Sequence, residues 1–221
     1  MNVQRHQLIY VDSTANYTVQ SNHPDLDVIR QQVLAWFRKG LPCVYARQTP
    51  DALDVNLGLP LIVDGKKHRV GLRVEKSSII RQQHLPRLLD MHAYFSQFHG
   101  INDIDLVSAG ERASSISIYG SFLFHYLSKQ AYVDHSSDLD ILVEYSGGPL
   151  SSLRKLLVLM NKKFNRTIDG EVRFPLFGDV AILELLDVSA TKMVCKKRDS
   201  VEMLQRAERY ERYPSLCKNG E

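Results

Sequence analysis

Residues 118–144 read IYGSFLFHYLSKQAYVDHSSDLDILVE, and the fold is decided there. Ser114 to Tyr119 alternates as a strand does, and it ends in Gly120-Ser121. Phe122 to Ser128 then reads as a helix, and Leu139 to Tyr145 as an apolar strand whose start carries Asp138 and Asp140. Glycine at 120 permits a tight turn and a close approach by a ligand, because it has no Cβ. Ser121 falls at a helix N-terminus, where unpaired N–H groups and the helix dipole favour an anion such as a polyphosphate. Residues two apart on a strand share a face, so the carboxylates of Asp138 and Asp140 point together while Leu139 points into the core. Two such carboxylates can hold hard divalent cations, about 3.5–4 Å apart when paired, for phosphoryl or nucleotidyl transfer.

Gly-Ser alone is a common turn dipeptide, and Asp-x-Asp alone is common at strand ends. Together they carry more weight, because these acids sit in a run that is otherwise apolar, Leu139, Ile141, Leu142 and Val143. Two carboxylates on a core strand repel and lose hydration unless a cation pairs them. Strand, Gly-Ser, helix, then a strand with Ser137-Asp138-Leu139-Asp140-Ile141-Leu142-Val143 resembles the nucleotidyltransferase superfamily, the DNA polymerase β-like fold. Sixteen residues separate Ser121 from Asp138, more than that superfamily usually has, so a longer helix or loop carrying Tyr132 to Ser136 must be fitted there. The resemblance implies a mixed α+β sheet with helices and a third carboxylate on a neighbouring strand. Asp169 and Glu171 share a face of the next strand. Glu171 is preferred as a base or metal ligand, with Asp169 as the alternative metal ligand and Glu184 as a further candidate.

Outward from this core, Leu150 to Phe164 is the clearest helix, with Leu153, Leu156, Leu157, Met160 and Phe164 on one face. Thr167 to Phe174 and Val180 to Leu186 read as strands. Val201 to Arg212 reads as a final helix capped by Asp199-Ser200, and Leu85 to Phe98 as a helix ending near Gly100. The first third is a small α+β unit. It contains a strand at Gln7 to Val11, a helix over Asp25 to Lys39 stopped by Gly40, and a strand at Pro42 to Arg47. A hairpin joins Leu57 to Val63 and His68 to Val74 around Asp64-Gly65. The expected domains are residues 1–82 and 83–221.

With 28 Lys and Arg against 25 Asp and Glu, the net charge is +3, too mild for a dedicated nucleic-acid binder. Basic residues cluster at Lys66, Lys67, His68, Arg69 and Arg73, and more densely at Lys192, Lys196, Lys197 and Arg198. Lys196 and Lys197 are candidates to meet phosphates or an acidic protein. His125 and His135 flank the central motif and read as packing or surface residues. Cys43, Cys195 and Cys217 are odd in number and widely spaced, which suggests neither a disulfide framework nor a zinc knuckle. Such cysteine use fits a reducing compartment, so a cytoplasmic protein is expected; no apolar run is long enough for a membrane span and no secretory signal is visible.

A narrower resemblance covers nearly the whole chain. The opening Arg5-His6-Gln7-Leu8-Ile9-Tyr10-Val11, the Pro42 to Arg47 strand, and Ile168-Asp169-Gly170-Glu171 followed by Val180 to Leu185 resemble the phosphoribosyl-dephospho-CoA transferases of malonate decarboxylase, also called holo-acyl-carrier-protein synthases. In that family an aromatic and a basic residue tend to precede the glutamate corresponding to Glu184, whereas Ile182 and Leu183 stand here. The resemblance implies transfer of a 5-phosphoribosyl-dephospho-CoA group from 2′-(5″-triphosphoribosyl)-3′-dephospho-CoA to a serine of the acyl carrier subunit, with loss of pyrophosphate. It implies Mg²⁺, or Mn²⁺, held by acids among Asp138, Asp140 and Asp169, and no nucleic-acid partner. The competing expectations are a different nucleotidyltransferase that moves AMP from ATP, and an antitoxin-like module without turnover.

Overall fold

The structure, a computed structural model, describes residues 3–98 and 115–217. It is α+β and falls into two compact units. The first comprises Met1–Leu85 together with Leu127–Tyr132 and Arg198–Ser200, and the second comprises Pro86–Tyr126, Val133–Lys197 and Val201–Glu221.

The first unit holds β1 (Leu8–Val11), β2 (Tyr17–Gln20), α1 (Leu26–Arg38), β3 (Cys43–Tyr45), β4 (Asp54–Val63), β5 (Lys66–Glu75) and β6 (Ile79–Gln83), with sheet order β2-β5-β4-β3-β1-β6. All its pairings are antiparallel. The Asp25 side chain caps α1 by accepting from the N–H groups of Asp27 and Val28. The helix buries Ile29, Val33, Trp36 and Phe37, and fully burying a side chain of this size is worth about 1.5–3 kcal/mol. The hairpin turns at Asp64-Gly65 with Val63 opposite Lys66. Both turn residues have positive φ, 49° and 73°, as a two-residue turn that follows strand twist requires. The short strands β2 and β6, YTVQ and IIRQQ, were not expected from the sequence.

The second unit contains α2 (His92–Phe95), β7 (Ile116–Ile118), α3 (Gly120–Ser128), whose last residues belong to the first unit, β8 (Leu139–Glu144), α4 (Leu150–Phe164), β9 (Ile168–Phe174), β10 (Gly178–Ala181), α5 (Ile182–Leu186), β11 (Lys192–Lys196), β12 (Val201–Gln205) and α6 (Arg206–Arg212). The sheet order is β12-β11-β10-β9-β8-β7, and only β8 and β9 pair in parallel. Helix α4 makes the crossover that a parallel pair demands, and it buries Leu156, Leu157, Met160 and Phe164. These join Leu139, Ile141, Val143, Ile168, Val172 and Phe174 in one core. Asp140, Leu142, Glu171, Arg173 and Asp179 belong to the opposite face of the same strands by alternation.

Three sequence expectations are corrected here. Val180 to Leu186 is not one strand: β10 ends at Ala181, and α5 turns Ile182 and Leu185 into the core. Val201 to Arg212 is not one helix, because its first five residues pair along the whole of β11; Asp199-Ser200 therefore lies in a strand connection. The Leu85 to Phe98 helix shrinks to a 3₁₀ turn at Leu89–Met91 and the single turn of α2. Pro86 and the bridge between Arg87 and Ser117 hold its start extended. Gly100 and Ser114, named as ends of elements, lie outside the described residues.

Candidate active site

Helix α3 begins at Gly120, where φ is +66°. A β-carbon added there would stand 1.9 Å from Oδ2 of Asp140. Residue 120 is therefore held to glycine twice, by backbone conformation and by space. The Tyr119 N–H donates to the Asp140 carbonyl at 3.1 Å, which ties the turn to β8. Gly120, Ser121 and Asp140, singled out from sequence, are thus brought together at the start of α3.

Asp138 stands one residue ahead of β8 and is exposed. Its carboxylate has no hydrogen bond or ion pair with the described residues. The residues before it form a side-chain-stapled turn, in which Asp134 Oδ1 accepts from the N–H of Ser136 at 2.9 Å and from both serine hydroxyls. The long spacer between Ser121 and Asp138 is accounted for. Helix α3 runs to Ser128, and Leu127–Tyr132 belongs to the first unit, where the Tyr132 hydroxyl donates to the Pro60 carbonyl at 2.8 Å. Burial pushes that phenol up to about 12.

The parallel register sets Asp169 directly opposite Asp140 and Glu171 opposite Leu142. Adjacent strands lie about 4.7–4.9 Å apart, so Asp140 and Asp169 are neighbouring carboxylates. Asp169 is exposed and accepts from the Gly170 N–H at 2.7 Å. Gly170, between the two candidate acids, has φ of 151°, and a β-carbon there would stand 1.9 Å from the Ile141 carbonyl oxygen. Glu171 is buried and engaged: Lys196 Nζ lies 2.7 Å from its Oε1. Next to it Arg173 grips Asp179 through two bonds, 2.8 and 2.9 Å, the bidentate geometry that is strongest for this pair.

Lys196 and Lys197, expected to meet phosphates, are both paired to acids; Lys197 Nζ lies 2.6 Å from Glu202 Oε2. Glu184 sits on α5 and accepts from the Val194 N–H at 2.9 Å, an engagement on β11. His125 packs among aromatic rings, 5.8 Å from Tyr94 and 5.7 Å from Phe98 between centroids, and His135 is exposed. The sequence reading missed Arg166 and the Asp134 turn. The pattern Asp134-His135-Ser136-Ser137 was the available signal for the turn, since such residues bond their own backbone two residues on.

Two family models match the chain: "Phosphoribosyl-dephospho-CoA transferase MdcG N-terminal domain" over residues 4–84, and "Phosphoribosyl-dephospho-CoA transferase MdcG C-terminal domain" over residues 94–207. The chain belongs to the phosphoribosyl-dephospho-CoA transferase MdcG family. Curated relatives named phosphoribosyl-dephospho-CoA transferase agree with this. One from Bradyrhizobium diazoefficiens is 30% identical over 145 residues, 64% of this chain and 63% of the relative. One from Xanthomonas axonopodis pv. citri is 26% identical over 211 residues, and one from Xanthomonas euvesicatoria pv. vesicatoria is 28% identical over 210; each match covers 92% of this chain and 94% of the relative. No solved structure is a match. Among the described residues of this MdcG-family chain, no helix is long and apolar enough to cross a membrane.

Proposed function

We propose that this chain transfers the 5-phosphoribosyl-dephospho-CoA group from 2′-(5″-triphosphoribosyl)-3′-dephospho-CoA to a serine of the malonate decarboxylase acyl carrier subunit, as a Mg²⁺-dependent nucleotidyltransferase of the cytoplasm. Membership of the MdcG family supports the donor and the acceptor. The observation that carries the chemistry is Asp140, pressed against the Gly120 turn and in register with Asp169.

The donor set suits a hard divalent cation. Like charges directly opposite on adjacent strands destabilise a sheet, and three carboxylates, from Asp138, Asp140 and Asp169, offer the oxygen ligands that Mg²⁺ or Mn²⁺ takes. A cation held there would offset the charge of the triphosphate.

The remaining steps fall to the chain's own groups. The N–H groups at the start of α3 and the Ser121 hydroxyl bind the triphosphate, and Gly120 lets it approach the backbone. The carrier serine oxygen bonds to the phosphorus nearest the ribose. The bond from that phosphorus to the bridging oxygen breaks, and pyrophosphate leaves. The serine proton passes to a carboxylate of this face, with Glu171 as the proposed acceptor. Positioning and charge stabilisation supply most of the rate in such transfers.

The test offers the purified protein, Mg²⁺ and the triphosphoribosyl donor to an apo carrier subunit, with ATP as rival donor. The reading expects pyrophosphate release and a mass gain on the carrier equal to the transferred group. Modification from ATP instead would assign a different nucleotidyl transfer, and no modification from either donor would leave a binding module.

A further inference from the structure

Asp138 stands between two peptide groups that are both anchored to the same dipeptide. On one side the Ser137 carbonyl accepts from Nη1 of Arg166 at 3.2 Å, and the Asp134 carbonyl accepts from that nitrogen at 2.5 Å. On the other side the Leu139 N–H donates to the Thr167 carbonyl at 2.9 Å. Among the described residues the Asp138 carboxylate has no such anchor of its own, so the backbone to either side sets where it points. The Arg166 guanidinium also lies 5.7 Å from the centroid of the Phe122 ring, within cation–π range, and Phe122 follows Ser121. One side chain therefore touches both segments that carry the candidate site, the Asp138 loop and the first turn of α3.

The chain delivers Arg166 to this position by a local device. Asn165 closes α4 in the left-handed conformation, φ 47° and ψ 45°, which asparagine tolerates better than most residues. The Asn161 side chain then accepts from the Ile168 N–H at 2.9 Å, so both ends of the three residues Arg166 to Ile168 are fixed to α4. An arginine suits the task because its planar fork loses little freedom per bond formed.

We infer that Arg166 is a positioning residue that holds the Asp138 carboxylate in place for the divalent cation. The inference rests on the metal reading of Asp138, Asp140 and Asp169. It adds a basic residue outside the acid set, which acts through backbone carbonyls and not through the phosphates.

The test is Mn²⁺ binding by the full chain without donor, read by water-proton relaxation, for wild type, Arg166→Ala and Arg166→Gln. Removal of a group that orients a metal ligand typically weakens metal affinity about 10–100-fold. R166A should bind Mn²⁺ at least about tenfold more weakly, and R166Q should fall between it and wild type, because its shorter amide cannot reach both carbonyls. In the transfer assay the Mn²⁺ concentration for half-maximal rate should rise in parallel, while donor KM at saturating metal stays near wild type. A folded R166A with wild-type Mn²⁺ affinity overturns the inference and leaves the metal reading standing. If R166A does not fold, R166Q at wild-type affinity overturns it equally. A wild type that binds no Mn²⁺ removes the metal reading and this inference with it.

Discussion

Glu171 and Lys196 form an ion pair across two strands, Nζ to Oε1 2.7 Å, with the carboxylate buried and the lysine half exposed. Lys196→Met leaves that carboxylate buried without its cation. The cost should be about 1–3 kcal/mol, less than for a fully enclosed pair because water still reaches the lysine. Glu171→Gln in the same chain should restore part of the loss. Denaturant midpoints of the two single variants and the double variant measure the coupling. A loss in the double variant equal to the sum of the two single losses would show that the pair contributes nothing.

Glu171 and Asp169 should separate by function. Asp169→Asn should weaken Mn²⁺ binding, since Asp169 is the acid in register with Asp140. Glu171→Gln should leave Mn²⁺ affinity near wild type and lower single-turnover transfer at saturating donor and metal. The converse pattern would exchange the two roles.

Asp138→Asn and Asp140→Asn should each abolish transfer while the fold survives. Removing one of the like charges on this face relieves repulsion in the metal-free protein, so its Tm should hold or rise. Calorimetry without metal and the transfer assay with Mg²⁺ give the two readings. Full activity in either variant ends the metal assignment.

Gly120→Ala should be more damaging than Ser121→Ala. The added methyl would stand 1.9 Å from Asp140 Oδ2, in a backbone conformation at φ +66° that side chains rarely adopt. Ser121→Ala removes one hydroxyl, worth about 1–3 kcal/mol if it meets a charged phosphate. Donor kinetics on folded variants rank them, and the reverse order would mean that the triphosphate does not sit on this turn.

The three cysteines should divide into one fast and two slow thiols. Cys217 is exposed, whereas Cys43 and Cys195 are buried, and burial pushes both of their thiols up. A raised pKa leaves less thiolate at pH 8, and the thiolate is the reactive species. A colorimetric thiol assay should report one rapid equivalent per chain, with the others released on unfolding. Three rapid equivalents would contradict the burial.

Much of this architecture was legible because its signals are local. Gly120-Ser121, Asp138-Leu139-Asp140, the amphipathic Leu150–Phe164 helix and the Asp64-Gly65 hairpin each declare themselves within a few residues. The failures lie where a distant partner decides. Val201–Gln205 has acceptable helical composition and becomes a strand only because β11 offers it an edge. Glu184 shared a predicted strand with Val180, and the switch to α5 took it to a backbone N–H of β11. Lys196 reads from sequence as a surface cation; its pairing with Glu171 depends on a sheet order that nothing in the local sequence encodes. Arg166 was invisible because its partners are backbone carbonyls, which leave no trace in side-chain pattern.

The first unit is not one stretch of chain: it claims Leu127–Tyr132 and Arg198–Ser200 from the second half of the sequence. Neither unit can then be excised with a single cut. A fragment starting at Pro86 would carry two orphaned pieces, including the apolar body of Tyr132, which is almost wholly buried in the intact chain. Dissection by truncation should yield a sticky, poorly behaved product, whereas replacing Leu127–Tyr132 by a polar linker is the edit that respects the seams. The two halves of the gene are for this reason poor material for domain shuffling, because the units they encode are interleaved along the chain.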